Sequence, residues 1–254
     1  MTLGRENVPD RRTVGVALAA LLLVGAVVAV GAGAYFAVGL GPDEAALDAV
    51  ESSGDVTVDR LDGATVVRSG PVTAETRGLV YYPGARVNAE SYVPTAAEAV
   101  AGRDVAVVIV DMPLNLAVLG PNRADDAREA LPAIESWAVG GHSLGGAMAC
   151  RYAADNADEF DGLVLHASYC DRDVSESGLR VLSVLGAADG VLDAERERES
   201  RANLPPDARV VELDGVNHAG FGAYGPQRGD ESVPTDPAAM RERVGNVTGA
   251  WLAG

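Results

Sequence analysis

The amino-acid sequence predicts an α/β fold with a mainly parallel central sheet and helices on both faces, preceded by an apolar N-terminal segment. Three observations lead to this prediction. Short apolar runs alternate with helical segments from residue 76 onward, which is the pattern of parallel sheets. One of these runs passes through a glycine-rich turn into a helix of small residues, at Trp137–Ala149. No charged residue occurs from Thr13 to Leu40.

Composition limits the size of the core and the class of partner. The chain has 254 residues, of which 48% are hydrophobic and only 5% aromatic. This length accommodates an N-terminal element and one domain of about 200 residues. The formal net charge is −17, and all twenty basic residues are arginine. So acidic a surface argues against nucleic acid and anionic lipid headgroups as partners, because both bind through Lys and Arg.

The absence of lysine indicates the conditions under which the protein works. High negative charge without lysine is typical of halophilic proteins, whose carboxylates hold hydration in concentrated salt that screens their repulsion. An acidic protein from a GC-rich genome is the alternative origin of the same composition.

The N-terminal region predicts a membrane anchor. Residues 1–12 are short and polar, and the uncharged run 13–40 exceeds the roughly 20 apolar residues that cross a bilayer. Arginines precede this run and carboxylates follow it. By the positive-inside rule, residues 1–12 are cytoplasmic, and 13–40 form a single transmembrane signal anchor in the cell membrane. The domain 41–254 then lies outside the cytoplasm.

Two alternatives to a retained anchor remain open. Small residues near Ala32 and Ala34 leave room for signal-peptide cleavage, although the apolar region of a cleaved signal is shorter, at about 7–15 residues. The pair Arg11-Arg12 is reminiscent of a twin-arginine export signal, but Thr13-Val14-Gly15 lacks the bulky apolar residues that usually follow it.

The segments after the anchor predict the order of strands and helices. An acidic helical linker covers Asp43–Glu51, and a hairpin turns at Asp62-Gly63. The predicted hairpin strands are Val56–Arg60 and Ala64–Arg68, and the further strands are Thr76–Tyr82, Val105–Val110, Ser136–Gly140, Gly162–His166, Arg180–Leu185 and Ala208–Leu213. The predicted helices are Glu90–Val100, Arg123–Ile134, Leu144–Asn156, Asp193–Ala202 and Pro237–Leu252.

The turn at Gly141-His142-Ser143-Leu144-Gly145 matches G-x-S-x-G, which holds a nucleophilic serine between a strand and a helix. Glycines at both ends let strand and helix pack closely around a strained serine backbone. The following helix directs free backbone N–H groups at the serine, where an oxyanion would develop. Ser143 is therefore the predicted nucleophile.

A serine nucleophile needs a base, and the chain has three histidines. His142 lies within the elbow and is expected to point away from the reaction side. His166 ends an apolar strand and is expected to be a packed or hydrogen-bonded core residue. His218 follows the last predicted strand in a glycine-flanked loop, at the carboxyl end of the sheet where ligands bind in such folds. His218 is the predicted base.

The acid that orients the base is predicted to be Asp189, in the turn after the strand Val181–Leu185. It completes the chain order Ser, Asp, His. The alternatives are Asp171 or Asp173 after the preceding strand, and Asp214 close to the predicted base.

Two backbone N–H groups are expected to bind the oxyanion. Leu144 follows the nucleophile directly and supplies one. The loop after the strand Thr76–Tyr82 supplies the other, from Ala85 or, as second choice, Gly84. Pro83 in the same loop has no N–H to donate.

These motifs resemble those of the alpha/beta-hydrolase superfamily, over roughly Val72–Gly254. The stretches Tyr82–Val87, Met112–Ala117 and Asn217–Gly222 are similar to those of small microbial hydrolases related to dienelactone hydrolases. The resemblance implies an alpha/beta-hydrolase fold and a serine hydrolase of the Ser–His–Asp type. Dienelactone hydrolases themselves use a cysteine nucleophile, whereas this chain carries Ser143, which favours an esterase.

The sequence therefore predicts a serine hydrolase that cleaves carboxylic esters or related acyl compounds of small-molecule size. Acyl transfer or amide cleavage on the same triad, and a non-catalytic hydrolase-like binding protein, are the alternatives. Too few residues separate His166 from Arg180 for a cap domain. The sequence has no metal-ligand spacing, so no metal and no cofactor are expected.

The two cysteines, Cys150 and Cys170, are too few for a disulfide framework. Both are interpreted as small apolar residues in or near the core. A bridge between them is the alternative.

Overall fold

The computed structural model describes residue 31 and residues 33–254. The predicted N-terminal segment 1–12 and most of the predicted span 13–40 lie outside the described residues. Within the described part of the chain, no helix has both the length and the apolar character to cross a membrane. Leu40, at the predicted end of the span, forms a parallel β-bridge with Val87 of the domain.

Residues 31 and 33–37 are helical, and the rest of the described chain forms eight strands and six α-helices, joined by short 3₁₀ turns. The strands are β1 (Thr57–Leu61), β2 (Ala64–Arg68), β3 (Arg77–Tyr82), β4 (Val105–Val110), β5 (Ser136–His142), β6 (Gly162–His166), β7 (Arg180–Gly186) and β8 (Arg209–Leu213). The helices are α1 (Glu44–Ser53), α2 (Val93–Val100), α3 (Arg123–Ala130), α4 (Leu144–Asp155), α5 (Ala194–Ser200) and α6 (Pro237–Ala253).

All eight strands belong to one sheet, in the order β1-β2-β4-β3-β5-β6-β7-β8. Strand β2 is antiparallel to its neighbours β1 and β4, and all the other strand pairs of the sheet are parallel. The predicted hairpin and mainly parallel sheet are therefore confirmed. The carboxyl ends of β3 to β8 lie along one edge, which is where the candidate site is found.

The core consists of two layers because both faces of the sheet are buried. In β3, Leu79 and Tyr81 face one layer and Val80 and Tyr82 face the other, as the alternation of side chains in a strand requires. Helices α1, α2 and α6 cover the first face, and α3 and α4 cover the second. Helices on both faces explain why the strands read as continuous apolar runs.

One predicted helix is too long. The sequence predicts a helix to Ile134, but α3 ends at Ala130, and Leu131 has φ −127° and ψ 64°. Pro132 follows directly, and its ring disfavours helical geometry in the residue before it.

The interpretation of both cysteines as unpaired apolar residues is wrong. Cys150 of α4 and Cys170 beyond β6 form a disulfide, with their Cα atoms 5.4 Å apart. Both are fully buried, as predicted, but burial alone does not distinguish a packed thiol from a bridge. The fold brings them together because α4 packs beside β6.

Residues 167–179, between β6 and β7, contain neither helix nor strand. This agrees with the prediction that no cap domain is inserted there, and the carboxyl edge of the sheet is open at this point.

Candidate active site

The predicted nucleophile lies in a strained turn at the carboxyl end of β5. Ser143 has φ 53° and ψ −123°, between the last residue of β5 and the first residue of α4. A Cβ atom on Gly141 would lie 2.5 Å from the carbonyl oxygen of Tyr82. A Cβ on Gly145 would collide with the carbonyl oxygens of Tyr82 and Pro83. Glycine at both positions therefore permits the close approach of β3, β5 and α4 that the turn requires.

Two hydrogen bonds from the β6 side hold the backbone of Ser143. Its N–H donates to the carbonyl oxygen of His166 at 2.9 Å. The hydroxyl of Ser168 donates to the carbonyl oxygen of Ser143 at 2.7 Å. Because the φ of Ser143 is unfavourable for a residue with a side chain, these contacts offset the cost of the turn.

His218 and Asp189 are hydrogen-bonded to each other. The His218 Nδ1 atom lies 2.8 Å from the Asp189 Oδ2 atom, and both side chains are almost fully buried. A carboxylate only accepts hydrogen bonds, so Nδ1 carries the proton and, in the neutral ring, Nε2 has a free lone pair. This Nε2 atom is buried and has no hydrogen-bond partner among the described residues. The arrangement suits a general base.

The carboxylate of Asp189 remains ionised in spite of its burial. Burial alone would raise its pKa, but the hydrogen bond and charge of His218 and the N–H groups of Leu192 and Val191 outweigh burial and lower the pKa. Both N–H groups donate to Oδ1 at 2.8 Å, which leaves Oδ2 for His218. The turn after β7 thus orients the carboxylate toward the imidazole.

The three alternative acids lie elsewhere. Asp171 forms an ion pair with Arg151 at 2.5 Å, and Asp173 accepts a hydrogen bond from the hydroxyl of Ser175 at 2.6 Å. Asp214 makes no hydrogen bond to His218. Of the four candidates, Asp189 is the one that the structure places against His218.

Ser143 and His218 line the same open pocket, of about 270 Å³, together with Leu144, Ala147, Ala167, Ser168, Tyr169, Val191, Leu192, Asp193 and Arg196. No hydrogen bond joins the Ser143 Oγ and His218 Nε2 atoms, both of which belong to the described chain. Catalytic hydrogen bonds of this kind are often long without substrate and tighten when substrate binds. Ser143 and His218 thus line one pocket without a direct hydrogen bond between them.

The expected oxyanion donors differ in availability. The N–H groups of Leu144 and Ala85 have no acceptor within the described chain. The N–H of Gly84 donates instead to the hydroxyl of Tyr92 at 2.9 Å, so it is already engaged. The loop that carries Gly84 and Ala85 packs against Gly145 through Pro83. Ala85, the first choice from sequence, is the residue of this loop with a free donor.

Comparisons with known proteins show the family of the chain. Residues 78–241 match the alpha/beta hydrolase family, which covers the strand β3, the elbow, Asp189 and His218. The chain belongs to this family. Among curated proteins, none matches the chain.

Solved structures show the same fold. The esterase domain of a Rhodothermus marinus protein superposes with a TM-score of 0.57 and 15% identity, covering 77% of this chain and 97% of that one. Est1E from Butyrivibrio proteoclasticus, with ferulic acid bound, superposes with a TM-score of 0.57 and 12% identity, covering 78% of this chain and 97% of that one. Carboxyl esterase 2 from the fungus Tuber melanosporum superposes with a TM-score of 0.55 and 12% identity, covering 79% of this chain and 87% of that one. At these identities the likeness establishes the fold.

His142 of this alpha/beta hydrolase lies nearer His218 than expected. The prediction that His142 points away from the reaction side did not anticipate that its ring packs against that of His218, with centroids 4.5 Å apart. Alternation along β5 places His142 on the face where Tyr92 and Phe221 lie. Burial, followed by the charges of His218 and His166, lowers the pKa of His142 well below its usual value. The ring that packs against His218 is therefore neutral near pH 7.

His166 is a hydrogen-bonded core residue, as predicted. Its Nδ1 and Nε2 atoms lie 2.9 Å from the hydroxyls of Tyr81 and Thr248 respectively. Burial lowers the pKa of His166 to about 3. The ring thus links β3, β6 and α6 beneath the site and is neutral near pH 7.

One carboxylate at this site has no counterpart in the predictions. Asp230 accepts hydrogen bonds from the N–H groups of His218 at 3.1 Å, Ala219 at 2.8 Å and Gly190 at 3.1 Å. It therefore joins the loop of the base to the turn of the acid. No sequence motif marks Asp230, since it lies in an irregular segment and acts on backbone groups.

Within residues 33–254, no group of three or more His, Cys, Asp or Glu side chains is arranged to hold a metal ion.

Proposed function

We propose that this alpha/beta hydrolase cleaves carboxylic esters or related acyl compounds of small-molecule size, with Ser143 as nucleophile, His218 as base and Asp189 as the orienting acid. The observation that carries the proposal is the His218–Asp189 hydrogen bond, because it favours the tautomer whose Nε2 atom can accept a proton, at the pocket that Ser143 lines. The esterase names of the structural neighbours support the same reaction class.

In the proposed reaction, the Oγ atom of Ser143 attacks the acyl carbonyl carbon while its proton moves to the His218 Nε2 atom. The carbonyl electron pair becomes an oxyanion, which the N–H groups of Leu144 and Ala85 stabilise. Collapse expels the alcohol, which takes the proton from Nε2 and leaves an acyl-serine. Water then adds by the same route, with the same base, and releases the acid and free Ser143.

The buried carboxylate of Asp189 has two effects in this reaction. It holds the imidazole in the tautomer that accepts a proton, and it stabilises the imidazolium that forms. The neutral ring of His142, 4.5 Å from His218, adds no competing charge when the base becomes protonated.

For location, we propose that residues 13–40 anchor the hydrolase in the cell membrane, with the domain outside the cytoplasm. The support is the uncharged run of the sequence and the arginines that precede it. Retention of the anchor is tested by comparing the mass of the membrane-extracted protein with that of the full sequence.

The reaction is tested with the full chain in detergent and molar salt, using p-nitrophenyl butyrate, the matching anilide and an added alcohol acceptor. We expect ester hydrolysis that falls at least about 10³-fold in Ser143→Ala, His218→Ala and Asp189→Asn. Asp214→Asn is the matched control, because Asp214 is near His218 in sequence but makes no hydrogen bond to it. Faster anilide cleavage or acyl transfer than hydrolysis would contradict the esterase assignment, and no turnover by folded protein would favour a binding protein.

A further inference from the structure

Exposed apolar side chains are concentrated in two segments of this protein. Of the eight large hydrophobic residues that are exposed in the described chain, five lie in the segments 33–40 and 113–119. We call these five the apolar rim: Tyr35, Val38, Leu114, Val118 and Leu119. Val38 is 72% exposed and Leu119 is 51% exposed, so the rim is a surface and not a poorly packed part of the core.

The two segments form one continuous surface because polar contacts join them. The Asn115 Nδ2 atom donates to the carbonyl oxygens of Phe36 and Ala37 at 3.2 and 3.3 Å. The guanidinium of Arg86 lies 3.7 Å over the ring of Tyr35 and donates to its hydroxyl at 2.7 Å. The segment 33–40 is thus fixed to the domain.

This surface differs from the rest of the molecule in charge. The formal net charge of the chain is −17, yet residues 33–42 and 112–122 contain no charged residue. The charged side chain that contacts this surface is Arg86, and the ring of Tyr35 covers its guanidinium. A charge-free apolar surface on so acidic a protein is suited to an apolar environment and not to an anionic one.

The rim borders the candidate active site. The segment 113–119 follows the carboxyl end of β4, next to β3, and its 3₁₀ turn at Ala117–Leu119 contacts α4, which begins at the elbow. The N–H of Arg86 donates to the carbonyl oxygen of Asn115 at 2.8 Å, and Arg86 directly follows Ala85. The loop of the proposed oxyanion donor is therefore bound to the rim.

The position of the uncharged run 13–40 in the sequence indicates what the apolar rim contacts. The run 13–40 is 28 residues long by its numbering, more than the roughly 20 that cross a bilayer, and its last residues belong to the rim segment. Whatever follows a membrane span directly lies at the membrane surface. Tyr35 has the amphipathic side chain that is enriched at that depth.

We propose that the apolar rim rests on the outer surface of the bilayer that holds the anchor, and that the hydrolase takes esters with long acyl chains from this bilayer. The inference rests on the proposed function and on the proposed anchor. It names the substrate class of the same site: an ester whose acyl chain remains partly in the lipid while its carbonyl reaches Ser143.

Contact with lipid is measured without reference to catalysis. Cys150 and Cys170 are the two cysteines of the sequence and are joined to each other, so one introduced cysteine is the single free thiol. The full chain with Leu119→Cys carries an environment-sensitive fluorophore in phosphatidylcholine vesicles, with and without brominated lipid. Val210→Cys is the matched control, since Val210 is also exposed, at 37%, but lies in β8, the edge strand five positions from β4 in the sheet.

We expect brominated lipid to quench the fluorophore at position 119 at least about twofold, and the one at position 210 hardly at all. Equal quenching at both positions, or none at either, would overturn the proposed contact with lipid.

The substrate class is measured with two esters: a long-chain fluorogenic ester dissolved in the vesicles and a short water-soluble one. The pair Val118→Asp and Leu119→Asp should lower the rate on the vesicle-borne ester about tenfold, because charge opposes insertion, and leave the rate on the soluble ester within about twofold. Val210→Asp should change neither rate. Equal loss on both esters, or no loss on either, would refute the inference. If no form hydrolyses the soluble ester, the proposed function fails, while the quenching result still reports on the rim.

Discussion

The contacts of Asp230 predict that a residue outside the triad controls the rate. Its carboxylate accepts hydrogen bonds from the backbone N–H groups of His218, Ala219 and Gly190. We predict that Asp230→Ala lowers kcat while the KM for a small ester changes little. The loop of His218 and the turn of Asp189 would then keep the side-chain contact between these two residues and the backbone hydrogen bond from Ala188 to Val216.

The size of the effect follows from the three inter-loop hydrogen bonds. A hydrogen bond to a charged acceptor contributes about 1.5–3 kcal/mol when buried. Asp230 is only partly buried, so water replaces part of each contact in the variant, and we take about 1 kcal/mol per bond. About 3 kcal/mol of positioning free energy corresponds to roughly a hundredfold loss of kcat.

The assay compares Asp230→Ala with Glu231→Ala in ester hydrolysis, with thermal unfolding as a check on folding. Glu231 is the matched control because it carries the same charge at the next position, and its side chain makes no hydrogen bond to any residue from 33 to 254. The control should retain kcat within about twofold. If Asp230→Ala retained kcat to the same extent as Glu231→Ala, the reasoning from these hydrogen bonds would be refuted.

Three further predictions concern stability and the elbow. The bridge closes a separation of 20 residues, so Cys150→Ala with Cys170→Ala should lower the free energy of unfolding by about 3 kcal/mol in urea titrations; an unchanged value would contradict a formed bridge. Burial holds the pKa of His166 at about 3. The contribution of its neutral ring to the free energy of unfolding is therefore complete above the ordinary histidine pKa and is lost as pH falls toward 3. Urea midpoints of His166→Gln should therefore fall less between pH 7 and about 4 than those of the wild type. Gly145→Ala should lower the free energy of unfolding by about 1–3 kcal/mol and remove most of the activity. Gly70→Ala, with nothing within 4 Å of the new methyl group, should change neither.

The parts of the fold that the sequence predicts well are those governed by local pattern. Val105–Val110 and Gly162–His166 are strands with the predicted bounds, because continuous apolar runs of this length are buried on both faces. The elbow at Ser143 is recognisable because its backbone requires glycine at Gly141 and Gly145. The loop of His218 follows from its position after the last strand.

The remaining features depend on contacts between distant segments. Asp230 lies 12 residues from His218 and binds backbone N–H groups, which leave no trace in residue type. The pairing of Cys150 with Cys170 depends on how α4 packs on β6. The contact of Tyr35 with Arg86 spans 51 residues. Each of these features requires the folded chain before it becomes visible.

The central claim is that His218 and Asp189 activate Ser143. The most direct test treats the full chain, in detergent and molar salt, with a fluorophosphonate probe and locates the adduct by peptide mass. We expect a single adduct on Ser143, which disappears in His218→Ala and forms much more slowly in Asp189→Asn. An adduct on another residue, or none on wild-type protein that unfolds cooperatively, would contradict the account.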